Sequence, residues 1–217
     1  WDRSPGGLTI SADGKTLYTT TDDNGQHPLF AIDTASGKVS QLVGDGTVDG
    51  FSLAGGKLLL AINTFARAGN TAAWQKAVDS AARSRVDAII AADLGVLAYA
   101  HSVWPDLRLH LSVQAAAGTP QAIAFYAQAY GVKRVVLPRV LSVEEIARLT
   151  KSVDVEIEAF VYGGLCVMAE GRCALSSYAT PGSPNLTGVC SPPESVSFTE
   201  AHGTMTSRLG EFAIDHH

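Results

Sequence analysis

Several things are scarce in this chain, and each shortage excludes a class of protein. Only three cysteines occur in 217 residues, an odd number that suits a small disulfide framework poorly. There is no cluster of Lys and Arg and no basic stripe interleaved with aromatics. Together with a net charge of −5 this argues against nucleic acid as a main partner. The most apolar stretch, Val86 to Ala100, is interrupted by Asp87 and Asp93, so no segment reaches the ~20 residues of a membrane span. Neither a GxSxG elbow nor a zinc-binding HExxH pair is present, which removes the usual serine-hydrolase and zinc-peptidase signals. No signal-peptide pattern appears, and the first residue is Trp1 rather than Met, as in a fragment or a processed chain. What is abundant is apolar: 46% of residues, enough for one sizeable domain or two small ones.

Residues 1–56 have their own texture. Short alternating runs (Leu8–Ser11, Thr16–Thr21, Pro28–Asp33, Lys38–Val43, Val48–Leu53) are separated by turn signals such as Ala12-Asp13-Gly14-Lys15 and Ala35-Ser36-Gly37-Lys38. Strands at this spacing predict an antiparallel meander like one propeller blade. Ser11 to Tyr18 resembles the blade motif of propellers in the prolyl-oligopeptidase class of peptidases. Asp22, Asp23 and Asp45 read as solvated turn residues rather than a calcium site.

From Lys57 the rhythm becomes strand–helix alternation. Strands are predicted at Leu58–Asn63, Asp87–Asp93, Leu107–Gln114, Arg134–Val140 and Val155–Val161, with helices over Ala72–Arg83, Gly95–His101, Pro120–Tyr130 and Val143–Lys151. Ser142-Val-Glu-Glu has the form of a capping box. Near-continuous Val/Ile/Leu strands joined by helices predict parallel pairing, buried on both faces. The fold expected is α/β: a partial TIM-like barrel of about five β/α units over residues 57–217, preceded by the short all-β blade at 1–56. The join falls near Gly55-Gly56-Lys57, as in a composite or truncated barrel sequence.

All three cysteines, Cys166, Cys173 and Cys190, follow the fifth strand and fall within 25 residues of one another, in a cysteine-rich loop region at 163–193. Three soft thiolates in one region suit a metal or an iron–sulfur cluster; a Cys166–Cys173 disulfide with Cys190 left over is the other reading. Glu158, Phe160, Gly163, Cys166, Gly171, Cys173 and Ser176 reproduce the spacing Glu-x-Phe-x-x-Gly, then Cys, then Gly-x-Cys, then Ser. This resembles the signature of the collagenase-like peptidase family (family U-32). The likeness covers about residues 57–217 and is strongest to the family's oxygen-independent ubiquinone-biosynthesis branch, through Asn63-Thr64-Phe65, Trp74 to Asp79, Leu111 to Ala115, Arg134 to Ser142, Leu165 to Tyr178 and Ser183 to Pro192. The resemblance implies a [4Fe-4S] cluster held by Cys166, Cys173 and Cys190. The family's fourth cysteine, in a Pro-Thr-Leu-Cys-Lys-Gly segment, has no counterpart in this sequence. It also implies a related family subunit as heterodimer partner, a small aromatic or quinone precursor as substrate, and a reducing, cytoplasmic setting.

In such barrels the working residues lie at the C-terminal strand ends. Asn63, Asp93, Gln114, Arg139 and Tyr162 occupy those ends and are the substrate-binding candidates, with His110, which shares a strand face with Ser112 and Gln114. Arg139 stands out because a guanidinium fork can take a carboxylate bidentately. Asp93 and Asn63 equally suit capping and turn roles. Glu158, Glu170 and Arg172 are expected to order the cysteine loop from outside the ligand set. The expected function is iron–sulfur-dependent, oxygen-independent hydroxylation. The alternatives are a peptidase, for which the sequence offers no nucleophile with a neighbouring base, and an inactive fragment or interaction module.

Overall fold

The computed structural model describes residues 5–21, 28–44, 50–54, 57–161, 168–173, 177, 195–200 and 203–208 of the 217. Tight turns shape the first part. Between β1 (Pro5–Ile10) and β2 (Thr16–Thr21), the Asp13 carboxylate accepts from Ser11 Oγ at 2.7 Å and Lys15 N at 3.1 Å, and Gly14 takes a φ of +72°. Between β3 (Leu29–Asp33) and β4 (Val39–Val43), Asp33 accepts from Ser36 N at 2.7 Å and Ser36 Oγ at 2.6 Å, and Gly37 has φ +69°. Side-chain carboxylates thus reinforce turns that the backbone closes itself, Gly14 N on the Ser11 carbonyl and Gly37 N on the Asp33 carbonyl, and glycine supplies the left-handed step. The product is a four-stranded antiparallel meander in chain order.

The fifth alternating run does not join it. β5 (Gly50–Ala54) pairs antiparallel with β6 (Lys57–Ile62) and is the edge of a second, six-stranded sheet. Only Gly55 and Gly56 separate the two strands, and so short a link favours a hairpin. The rest of that sheet is parallel: β6, β7 (Ala88–Ala91), β8 (Leu109–Leu111), β9 (Arg134–Val136) and β10 (Glu156–Glu158) lie side by side in sequence order. They are connected by α1 (Thr71–Arg83), α2 (Leu94–Val103), a 3-10 turn (Val113–Ala115) with α3 (Pro120–Tyr130), and α4 (Val143–Thr150). The α/β class and the five parallel strands agree with expectation. Among the described residues the sheet stays open, with β5 and β10 as its edges. An antiparallel pair, β11 (Ser195–Glu200) with β12 (Gly203–Arg208), follows where the apolar pattern announces no element.

Side-chain caps start α2, α3 and α4. Asp93 Oδ1 accepts from Val96 N at 3.0 Å and Thr119 Oγ1 from Ala122 N at 3.2 Å. Ser142 and Glu145 form the reciprocal capping box predicted for α4, with Ser142 N donating to Glu145 at 2.8 Å. One face of the parallel strands (Leu60, Ile62, Ile89, Ala91, Leu109, Leu111, Val135) is buried in a core shared with Ala77, Val78 and Ala81 of α1, Val96, Leu97 and Ala100 of α2, and Ile123 of α3. Leu29 and Val43 of the meander belong to the same core, and the Ser84 hydroxyl after α1 donates to the Leu42 carbonyl.

Two strands are shorter than the pattern predicts. β8 ends at Leu111 because Ser112 Oγ accepts from Gln114 N and turns the chain into the 3-10 turn, so Gln114 does not share a strand face with His110. β9 ends at Val136, two residues before Pro138, which has no N–H for a ladder.

Candidate functional site

The segments that follow β6, β7, β8 and β10 converge beyond the C-terminal ends of the parallel strands. They bound a cleft of about 580 Å³. Phe65 comes from the loop after β6, and Asp93, Leu94 and Gly95 from the junction of β7 with α2. Gln114, Ala115 and Ala116 come from the turn after β8, Tyr126 from α3, and Ala169 to Arg172 from the segment after β10. The volume lies within the range of small-molecule sites.

Within the cleft the charges differ in how they are engaged. Asp93 has both carboxylate oxygens on backbone N–H groups, Oδ1 on Val96 and Oδ2 on Ala66 at 3.1 Å, so its capping role is real and it also ties down the loop carrying Phe65. Glu170 is almost fully buried and accepts three hydrogen bonds from Arg139: N at 3.1 Å and Nε at 2.8 Å on Oε1, and Nη2 at 2.5 Å on Oε2. Arg139 does take a carboxylate with its fork, but the carboxylate is this chain's own. Its guanidinium also lies 5.8 Å from the centre of the Phe160 ring. Arg172, by contrast, is exposed at the cleft.

Backbone geometry brings the segment after β10 against the mouth. Gly171 has φ +69°, and a Cβ there would run into the Gln114 carbonyl oxygen. Ala116, also lining the cleft, is one of two non-glycine residues with positive φ among those described, at +53°. Such strain is retained where surrounding structure over-determines it. Cys173 follows two residues beyond Gly171 and is half-buried; its carbonyl accepts from Ser177 Oγ at 2.7 Å.

The other predicted residues scatter. Asn63 lies just past β6, half-buried. Tyr162, Cys166 and Cys190 are outside the described residues, among which no group of three or more His, Cys, Asp or Glu is placed to hold a metal. Glu158 pairs with Arg134 at 3.3 Å rather than with the cysteine segment.

His110 is at the opposite end of the sheet. It lines a smaller cleft of about 240 Å³ with Lys57, Asp87, Arg108, Arg134 and Glu156, near the N-terminal ends of the strands. Arg108 Nε donates to its Nε2 at 3.1 Å, which puts the ring proton on Nδ1, and buried Nδ1 has no hydrogen-bond partner among the described residues. Burial first, then the positive charges of Arg134 and Arg108, lower its pKa to about 4. Glu156 binds both arginines, Arg108 Nη2 at 2.5 Å and Arg134 Nη2 at 2.6 Å.

Phe65, Tyr126 and the Gly171 contact are absent from the sequence-derived set. The family resemblance includes Phe65 and Gly171 but gives them no binding role, and it does not include Tyr126.

A family model described as "Peptidase family U32" matches residues 45–211. The chain is similar to the tRNA hydroxylation protein P of Escherichia coli, 43% identical over 105 residues covering 48% of this chain and 23% of the relative. It is similar to the 23S rRNA 5-hydroxycytidine C2501 synthase of the same organism, 31% identical over 137 residues, 63% of this chain and 20% of the relative. It is also similar to a collagenase of Porphyromonas gingivalis, 29% identical over 147 residues, 63% of this chain and 34% of the relative. The chain thus spans between about a fifth and a third of these relatives' lengths. No solved structure matches it significantly.

Proposed function

The chain belongs to peptidase family U32, and on that footing we propose that it forms the ring-binding mouth of a hydroxylation protein whose substrate is an aromatic base of RNA. The names of the relatives carry the choice of reaction, since those from Escherichia coli refer to hydroxylation of tRNA or to a hydroxycytidine of rRNA. They also move the substrate from a free quinone precursor towards an RNA base. The acidic balance of this chain then argues against an extended basic surface for the RNA backbone, not against a contact with a single nucleotide.

Iron–sulfur chemistry is part of the proposal. Three thiolates are a donor set that iron takes readily, and Cys166, Cys173 and Cys190 would hold the group, which would relay electrons for the reaction. The chain's own contribution is to fix where one of those thiolates stands: the Arg139–Glu170 pair and the Gly171–Gln114 contact hold the segment leading to Cys173 against the mouth.

Deleting the gene in its native host and analysing digested tRNA and rRNA by mass spectrometry tests the reading. Loss of one nucleoside heavier by a single oxygen, restored by the intact gene and not by a Cys173→Ser version, is the expected result. An unchanged nucleoside profile would sink it.

The collagenase relative favours a second reading, a peptidase. Among the described residues that line the cleft there is no serine, threonine or histidine: Ser112 Oγ, beside it, accepts from Gln114 N, and His110 lies at the far end of the sheet. Gelatin hydrolysis abolished by alkylating the cysteines would establish this reading instead.

A further inference from the structure

We infer that the cleft bounded by Phe65, Gln114, Tyr126 and Arg172 is a binding site for a planar aromatic ring carrying one anionic group, the ring lying against Phe65 and Tyr126 and the anion facing Arg172. This deepens the hydroxylation reading and rests on it for the biological ligand, though not for binding itself.

Three observations carry it. The walls hold two half-buried aromatic side chains, and Tyr126 is braced by Phe125 and Tyr130, whose ring centres lie 5.5 and 6.1 Å away. A braced ring loses little freedom on stacking against a second ring. The surfaces between the aromatics are small residues, Gly95, Ala115, Ala116 and Gly171, which leave room for a flat body.

The electrostatics select an anion. The two carboxylates of the cleft are both engaged, Asp93 by the N–H groups of Ala66 and Val96, Glu170 by the whole fork of Arg139. Arg172 is the exposed cation at its rim. A guanidinium here pairs with a carboxylate or phosphate in two-pronged geometry. Its position depends on the preceding residue, because only a glycine at 171 allows the backbone to come so close to the Gln114 carbonyl.

One ligand chemistry has two sources here, a nucleotide unit of RNA or a free aromatic acid. Titration calorimetry of the full chain with uridine 5′-monophosphate, uridine, 4-hydroxybenzoate and 4-methylphenol separates them. At least one of the two anionic probes binds, and its neutral counterpart binds about tenfold more weakly, the usual effect of losing one charge-assisted pair. Arg172→Ala removes that difference, Arg172→Lys restores part of it, and Tyr126→Leu weakens the anionic and neutral probes alike by about tenfold, as loss of a stacking partner does. A preference for the nucleotide identifies RNA as the source, and a preference for the benzoate identifies a free aromatic acid. Failure of both anions to bind, or binding that is unchanged in Arg172→Ala and Tyr126→Leu, overturns the site. Binding that follows the pattern in a host whose RNA nucleosides do not change on deletion keeps the cleft and removes the hydroxylation reading. Hydroxylation that persists with unchanged KM in Arg172→Ala keeps the reading and removes the cleft.

Discussion

Arg139 and Glu170 are 31 residues apart and meet in three hydrogen bonds of 2.5 to 3.1 Å, with the Glu170 side chain only 7% exposed. A carboxylate so enclosed depends on its partner, because removing one member leaves a charge without solvent or counterion. The pair joins the turn after β9 to the segment that carries Cys173. It is therefore a clasp between the parallel sheet and the cysteine region.

Arg139→Ala is expected to destabilise the chain by about 2–3 kcal/mol, somewhat less than for a fully enclosed pair because Arg139 keeps some solvent contact. Arg139→Lys is expected to recover only part of this, since an ammonium cannot reproduce the fork. Denaturant melts measure both. Hydrogen exchange in residues 168–173 should quicken in Arg139→Ala well before the global transition. Unchanged exchange there would mean that the segment is held by something else.

That clasp shows where sequence reading works and where it stops. Ser142 with Glu145 and Asp93 before α2 are local signals, each complete within a turn of helix, and both were legible. Arg139 was recognisable as a carboxylate binder, but nothing local says which carboxylate. Phe65, Gln114 and Tyr126 line one cleft only because consecutive parallel strands bring the segments that follow them to one end of the sheet. The strand ends were over-extended because a run of apolar residues does not reveal where Ser112 or Pro138 takes the backbone out of the ladder. His110 shows the same limit: its strand was legible, and the end of the sheet on which it opens was not.

Leu29 and Val43 lie in the meander yet are fully buried in the core that includes α1 and the parallel strands. Leu29→Ala should therefore cost about 2–5 kcal/mol, the usual range for emptying a packed site. It should also lower a single cooperative melting transition, followed by tryptophan fluorescence and far-ultraviolet circular dichroism together. Two separable transitions, with only the first moved by the substitution, would show that the meander and the parallel sheet do not melt as one unit.

Gly171→Ala tests the close approach to the Gln114 carbonyl. An alanine there meets both a left-handed backbone, which costs about 1–2 kcal/mol for a residue with a Cβ, and a collision with that oxygen. The segment is expected to lift from the mouth. Cys173, half-buried in the parent chain, should then react faster with iodoacetamide under denaturant-free conditions. Equal alkylation rates in variant and parent would show that the backbone absorbs the methyl group without moving the cysteine.

His110 makes stability depend on pH in a window that the carboxylates leave clear. Its pKa is about 4 in the fold against an ordinary 6.5, so the unfolded chain binds this proton more readily than the folded one. The neutral ring's contribution is complete above pH 6.5 and is lost as pH falls from there towards 4, amounting to on the order of 1–3 kcal/mol. Glu156, held below the ordinary carboxylate range first by Arg134 and then by Arg108, contributes in the same direction but only as pH falls through the lower carboxylate region. The two groups therefore separate along the pH axis. His110→Gln keeps a side-chain acceptor for Arg108 and removes the titrating ring. The variant's unfolding free energy should be nearly flat between pH 7 and 5, where the parent loses stability steadily. Parallel curves for variant and parent across that interval would mean that the ring is protonated as easily in the fold as in the unfolded chain, and that its burial carries no electrostatic cost.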